Sequence, residues 1–149
     1  MSIEHSKEVA DELAKLLAES YTLYLKTHKY HWNVVGPMFH SLHLLFETQY
    51  TELATAVDDI AERIRALGHK APGSYGEFAK LSSVKDAEGD PDAEGMVKEL
   101  ADDHRTVAER ANKIMGLAGK HDDEGTAALA SARIEVHEKA VWMLSAHLG

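Results

Sequence analysis

His28, His31 and His43 lie around a Gly36-Pro37 break, and Asp58 and Glu62 follow one helical turn apart further along the chain. Imidazole nitrogen and carboxylate oxygen are donors suited to Fe(II) or Zn(II). Ten histidines among 149 residues make a metal worth seeking, while the absence of cysteine excludes disulfides, thiolate metal sites and cysteine nucleophiles. A lone helical histidine is more often structural or solvated, and Asp58 with Glu62 alone reads as a solvated acidic face beside Arg63 and Arg65. The question is therefore whether the surrounding elements bring these groups together.

The patterning is helical throughout. Leu13, Leu16, Leu17, Ser20, Tyr24 and Thr27 recur at three- and four-residue steps and predict a helix over 4–34. Leu42, Phe46, Gln49, Leu53, Val57, Ile60, Ile64 and Leu67 predict a second over 38–67, with Gly68 as terminator. Pro72-Gly73-Ser74 then leads into a short amphipathic helix over 75–81 and a polar loop over 85–90. Asp90-Pro91-Asp92 reads as a cap followed by a first-turn proline, opening a third long helix over 93–117 that Gly116 and Gly119 end. After a polar turn over 121–125, a fourth long helix covers 126–148, with Leu129, Ile134, Val136, Val141, Trp142 and Leu144 as its apolar surface. The expected fold is all-α, an antiparallel four-helix bundle with a short extra helix between the second and third long helices, in one domain over 1–149.

Within such a bundle His31 falls on the core-facing stripe of the first helix, and His28 lies one turn earlier on nearly the same face. On the second helix Asp58 and Glu62 lie opposite the apolar stripe, with Glu47 beside them and His43 at the flank. Four-residue spacing stacks Asp58 over Glu62, so the pair can chelate one cation. His31 and His43 both flank the Gly36-Pro37 turn. Asp58 is fifteen residues beyond His43, about 22 Å along a helix at 1.5 Å per residue. Metal bonds are only about 2 Å long, so one chain cannot bring both sets to one ion. Two antiparallel copies of the second helix, related by a two-fold axis near Tyr50-Thr51, solve this. His43 of each then meets Asp58 and Glu62 of the other, giving two equivalent sites. Ala54, Ala61, Tyr50 and Thr51 on that face permit close contact. The usual bundle di-iron motif, Glu-x-x-His on two helices, is missing, because no glutamate here has a histidine three positions later.

The stretch from His28 through His31-Trp32-Asn33-Val34, Gly36, Phe39, Leu42-His43, Phe46-Glu47 and Tyr50, continued by Asp58, Ala61-Glu62-Arg63-Ile64 and Leu67-Gly68, resembles the Dps family of mini-ferritins. Weaker likeness runs through Tyr75-Gly76-Glu77-Phe78 to the Trp142 region, so the resemblance covers the whole chain. It implies a hollow shell of twelve ferritin-like subunits that oxidises Fe(II), preferably with hydrogen peroxide, and stores the Fe(III) mineral inside. It also places His31 and His43 of one subunit opposite Asp58 and Glu62 of its mate. Glu47 stands where the family commonly has an aspartate, one methylene shorter, and His28 is near enough to join the site. Trp32 adjoins it and could take up an oxidising equivalent or simply pack the interface. Zn(II) should occupy the same ligands without turning over. Asp122, Asp123 and Glu124 are candidates for an acidic iron-uptake pore, or for plain helix N-terminal acids. Glu47 and Glu52 are candidates for mineral nucleation.

Net charge −9 argues against non-specific nucleic-acid binding and suits a protein that draws cations. Only Lys7 precedes Lys15, so no basic N-terminal arm is expected and strong DNA binding is not. The competing readings are a nucleoid-associated DNA-binding protein with incidental metal, and a metal-binding scaffold or zinc buffer without redox chemistry. No apolar leader and no membrane span are expected, and the default location is the cytoplasm.

Overall fold

The computed structural model describes residues 3–149, with side chains from residue 6 onward. The elements are α1 (Ile3–Asn33), α2 (Phe39–Ala66), α3 (Tyr75–Leu81), α4 (Ala93–Lys120) and α5 (Glu124–Ser145), followed by a 3-10 turn over Ala146–Leu148. Short turns make α1–α2 and α4–α5 two antiparallel hairpins, and α1 packs on α4 to join them. The long crossover carries α3, which lies against α1. The result is the four-helix bundle with a short extra helix that the periodicity predicts. No described helix is long and apolar enough to cross a membrane.

The core is built from Leu13, Leu16 and Leu23 of α1, Leu42, Phe46, Leu53, Ile60 and Ile64 of α2, and Val97, Leu100, Val107 and Ile114 of α4, all at most 1% exposed. Burying each such side chain contributes roughly 1.5–3 kcal/mol, which makes this stripe the main driving force for pairing the hairpins. Gly36, in the turn between α1 and α2, and Gly68, just past the end of α2, take φ +106° and +93°, a region that side-chain-bearing residues avoid. The crossover is pinned by a fully buried carboxylate: Glu19 accepts from the Ser83 backbone N–H at 2.9 Å and from Arg110 Nε at 3.1 Å.

Three expectations need correction. α4 runs through Gly116 and Gly119 to Lys120. Interior glycine costs only about 1 kcal/mol, and the buried Ile114 and Ala118 keep that end packed. Asp122, at φ +56°, takes the left-handed position expected of a glycine. At the start of α4 the cap is Asp92, whose side chain accepts from Gly95 N–H at 2.8 Å, so Pro91 lies outside the helix. On α5 the buried face is Thr126, Ala130, Arg133, His137, Ala140 and Leu144; of the expected apolar set only Leu144 is fully buried, Leu129 and Ile134 pack partly buried against the core, and Trp142 is 66% exposed.

That face is a polar seam. Arg133 is paired with Glu52 of α2 and donates to His137 Nε2 at 3.1 Å. His137 Nδ1 lies 2.8 Å from His104 Nδ1. Because His137 Nε2 accepts, the proton of its neutral ring is on Nδ1 and is donated to His104. The proton of His104 is then on Nε2, which has no partner. Burial, with the Arg133 guanidinium, lowers the pKa of His104 to about 3, and His137 is depressed in the same way, so both are neutral.

Candidate metal centre

α1 and α2 present their donors at two ends of a shared face. At the turn end, His31 and His43 stack with ring centroids 3.8 Å apart and 12° between planes. Each Nδ1 lies 2.7 Å from the other's backbone carbonyl oxygen. A carbonyl can only accept, so both rings carry their proton on Nδ1 and both Nε2 lone pairs are free. Such carbonyl bonds fix tautomer and ring orientation in metal sites generally. His31 is buried and His43 half-buried, so two oriented imidazole donors are held against the bundle.

His28 is half-buried between the rings of Tyr50, at 4.2 Å, and Trp32, at 3.9 Å. Burial and the neighbouring His31 hold its pKa below the usual value, leaving another neutral imidazole beside the pair. Trp32 is 60% exposed, and Glu47 is exposed one turn beyond His43.

Asp58 and Glu62 sit at the other end, where the spacing puts them, and both are exposed. Asp59 joins them: one oxygen from each of the three carboxylates lies within 4.8 Å of the others. Spacing had not singled out Asp59, although it stands three residues before Glu62 and shares a helix edge with it. The Asp58 carboxylate, ahead of a hydrogen bond to it and of Asp59, raises the pKa of Glu62, so a cation would relieve the crowding. Arg63 anchors this end of α2 to α5, donating to Thr126 Oγ1 at 3.0 Å and to Asp123 Oδ1 at 2.7 Å.

Among the described residues the acidic group contains no histidine, and His43 and Asp58 stand on one unbroken helix. Within one chain the imidazole pair and the acidic group therefore stand apart as two separate sets of candidate donors. The other acids divide. Asp123 is buried as the α5 cap, accepting from Thr126 N–H at 3.1 Å, and its pKa is lowered because Thr126 and Arg63 outweigh burial. It is not free to line a pore, whereas Asp122 and Glu124 are exposed. Glu52 is likewise engaged by Arg133, which removes it as a free nucleating carboxylate.

Residues 10–149 match the model of the ferritin-like domain family. The DNA protection during starvation protein 2 of Bacillus anthracis is 40% identical over 143 residues, 96% of this chain and 98% of that protein. General stress protein 20U of Bacillus subtilis is 40% identical over 144 residues, 97% and 99% of the two chains. Among solved structures, the Dps protein of Vibrio cholerae, described as a member of a broad superfamily of ferritin-like diiron-carboxylate proteins, superposes with TM-score 0.96 at 36% identity, covering 100% of this chain and 94% of that one. The Dps protein of Bacillus brevis gives 0.95 at 34%, with both chains fully covered. The fold and the matched domain make this a ferritin-like protein. Within that class, the chain belongs to the Dps family.

Proposed function

We propose that the chain is a ferroxidase and iron store, working in the cytoplasm as a shell of twelve copies built from two-fold dimers. The reading is carried by one observation: His31 and His43 lock each other's Nδ1–H onto a carbonyl, leaving two Nε2 donors that the same chain's Asp58 and Glu62 cannot reach. A second copy supplies the missing carboxylates. His31 and His43 of one subunit and Asp58 and Glu62 of its mate then hold Fe(II) as substrate, with Glu47, Asp59 and His28 within reach for a second ion. Few protein ligands leave room for an oxidant. Hydrogen peroxide takes one electron from each of two Fe(II) and two protons, and leaves as two waters. Fe(III), a harder and more hydrolysable ion, passes to the cavity. Zn(II) fits the same donors and would block turnover. Asp122 and Glu124 are the acids available to draw iron through the shell.

The test is anaerobic protein with Fe(II), pulsed with peroxide and followed optically, with size-exclusion chromatography alongside. We expect Fe(III) to form faster than in protein-free buffer and to co-elute with a shell. A monomer, or oxidation at the protein-free rate, would refute the proposal. The alternative, a nucleoid-associated protein with incidental metal, requires plasmid retardation at about 150 mM salt, which a net charge of −9 opposes.

A further inference from the structure

An unbroken run of aromatic rings crosses the α1–α2 face from the imidazole half-site to the carboxylate half-site. Tyr50 meets the edge of the His31 ring at 5.2 Å, and stacks on His28 at 4.2 Å, with Trp32 beyond at 3.9 Å. From Tyr50 the run continues to Tyr24 at 6.0 Å, from Tyr24 to Tyr21 at 5.7 Å, and from Tyr21 to Tyr75 at 6.3 Å. Tyr21 and Tyr75 line a cleft that also holds Asp58 and Ala61. The two ends of the run are thus the two ends of the candidate metal face.

Four of the five tyrosines of the chain belong to this run. Phenylalanine would stack as well, so their hydroxyls need a reason. Among the described residues, the hydroxyls of Tyr21, Tyr24, Tyr50 and Tyr75 form no hydrogen bond within the chain and are not enclosed. The fifth tyrosine shows the contrast. Tyr30 is fully buried, donates to Glu99 at 2.6 Å, and burial with that carboxylate holds its pKa well above the usual phenol value. Tyr30 is built to keep its proton. A phenol must release its proton when it loses an electron to form a stable phenoxyl radical, and, unlike Tyr30, the four ring-run hydroxyls are tied to no acceptor within the chain.

We propose that Tyr50, Tyr24, Tyr21 and Tyr75, reached through His31 and His28, relay electrons between the two metal centres of a dimer. The inference rests on the ferroxidase reading. In the two-fold arrangement, the imidazole end of a chain belongs to one centre and its Asp58 end to the other, so the relay spans the gap between them. Its use is at low iron, when each centre holds a single Fe(II). Peroxide at one centre takes one electron from that Fe(II) and one from a relay tyrosine, which sheds its phenolic proton. With two protons taken up, the peroxide leaves as two waters. Fe(II) at the far centre gives an electron to the phenoxyl, which regains a proton, and itself becomes Fe(III). The sum is two Fe(II), one peroxide and two protons giving two Fe(III) and two waters. A hydroxyl radical is not released.

The experiment compares the intact shell with Tyr24→Phe, which keeps the ring stack, including the contact with His28 at 5.7 Å, and touches neither His43 nor the Asp58 group. Each is loaded anaerobically with one Fe(II) per subunit, pulsed with limiting peroxide, freeze-quenched for paramagnetic resonance and assayed with a spin trap. Wild-type protein should oxidise two Fe(II) per peroxide, pass through a transient phenoxyl signal and yield little hydroxyl adduct. In Tyr24→Phe the ratio should fall toward one and the adduct should rise several-fold. With two Fe(II) per subunit the two proteins should match, since both electrons are then local. Tyr24→Trp, an oxidisable ring, should restore the wild-type ratio. Equal ratios and adduct yields at one Fe(II) per subunit, or no phenoxyl signal in wild type, overturn the relay. Oxidation by neither protein above the buffer rate would instead overturn the ferroxidase reading itself.

Discussion

His43→Ala and Asp58→Ala proteins are each expected to oxidise Fe(II) no faster than protein-free buffer, and an assembly re-formed from equal amounts of the two to recover part of the activity. This expectation follows from the proposed division of each chain into half-sites. Pairing the two variants gives one centre lacking both His43 and Asp58, and one with all its ligands. Random pairing makes half the dimers mixed, so about a quarter of centres are complete in a two-fold assembly. A chain carrying both substitutions, mixed with wild type, provides the control. There the mixed dimer has no complete centre, because every centre uses one half of the damaged chain. Peroxide-driven Fe(III) formation, normalised to protein after size exclusion, measures both mixtures. A centre built within one subunit predicts no recovery from the single variants, and in the control it predicts half the wild-type activity. Recovery absent from the first mixture, with shells intact, would therefore rule out the two-fold centre.

The separation of the two donor groups was legible because it rests on local rules. Apolar spacing placed α1 and α2 to within a residue of their observed bounds, and a helix has a fixed rise, so the separation of His43 from Asp58 followed directly. The tautomers of His31 and His43 were not legible. They depend on two carbonyls at one helix end and on how the turn aims the rings at them. α5 was misread for a related reason. Its inward positions carry Arg133 and His137, whose burial is stabilised by Glu52 and His104 from other helices, so hydrophobicity no longer marks the buried face. Asp123 and Glu52 looked like free surface acids for the same cause. Each is claimed by an arginine about 60 or 80 residues away in sequence, and pattern alone carries no information on such pairs.

The buried histidine pair is expected to make the subunit labile to mild acid. His104 has a folded-state pKa near 3 against an ordinary 6.5, and His137 is depressed too. A depressed value means that the unfolded chain binds protons that the folded one refuses. Their contribution to stability is complete above about pH 6.5 and is lost as pH falls toward the folded values. Well below 6.5 the loss from His104 approaches about 1.4 kcal/mol per pH unit, or about 2 kcal/mol by pH 5, and His137 adds to it in the same direction. Against a typical domain stability of about 5–15 kcal/mol, that is a large share. The charged groups facing the pair do not offset it. Arg133 opposes protonation, and Glu52 is already paired with Arg133. The depressed carboxylates Glu12, Glu99 and Asp123 lose their share only below their ordinary range of about 4, so they add nothing in this window, whereas the depressed His28 adds a loss common to wild type and variant. His104→Asn tests the assignment, because its side-chain oxygen can take the place of Nδ1 and accept from His137. Chemical denaturation of the metal-free protein at pH 7 and pH 5 should show the wild type losing more stability between them than the variant, by about 2 kcal/mol, whatever the variant's stability at pH 7. Equal losses in the two proteins would mean that the pair takes up protons in the folded state and that the proton chain from Arg133 through His137 to His104 is wrongly drawn.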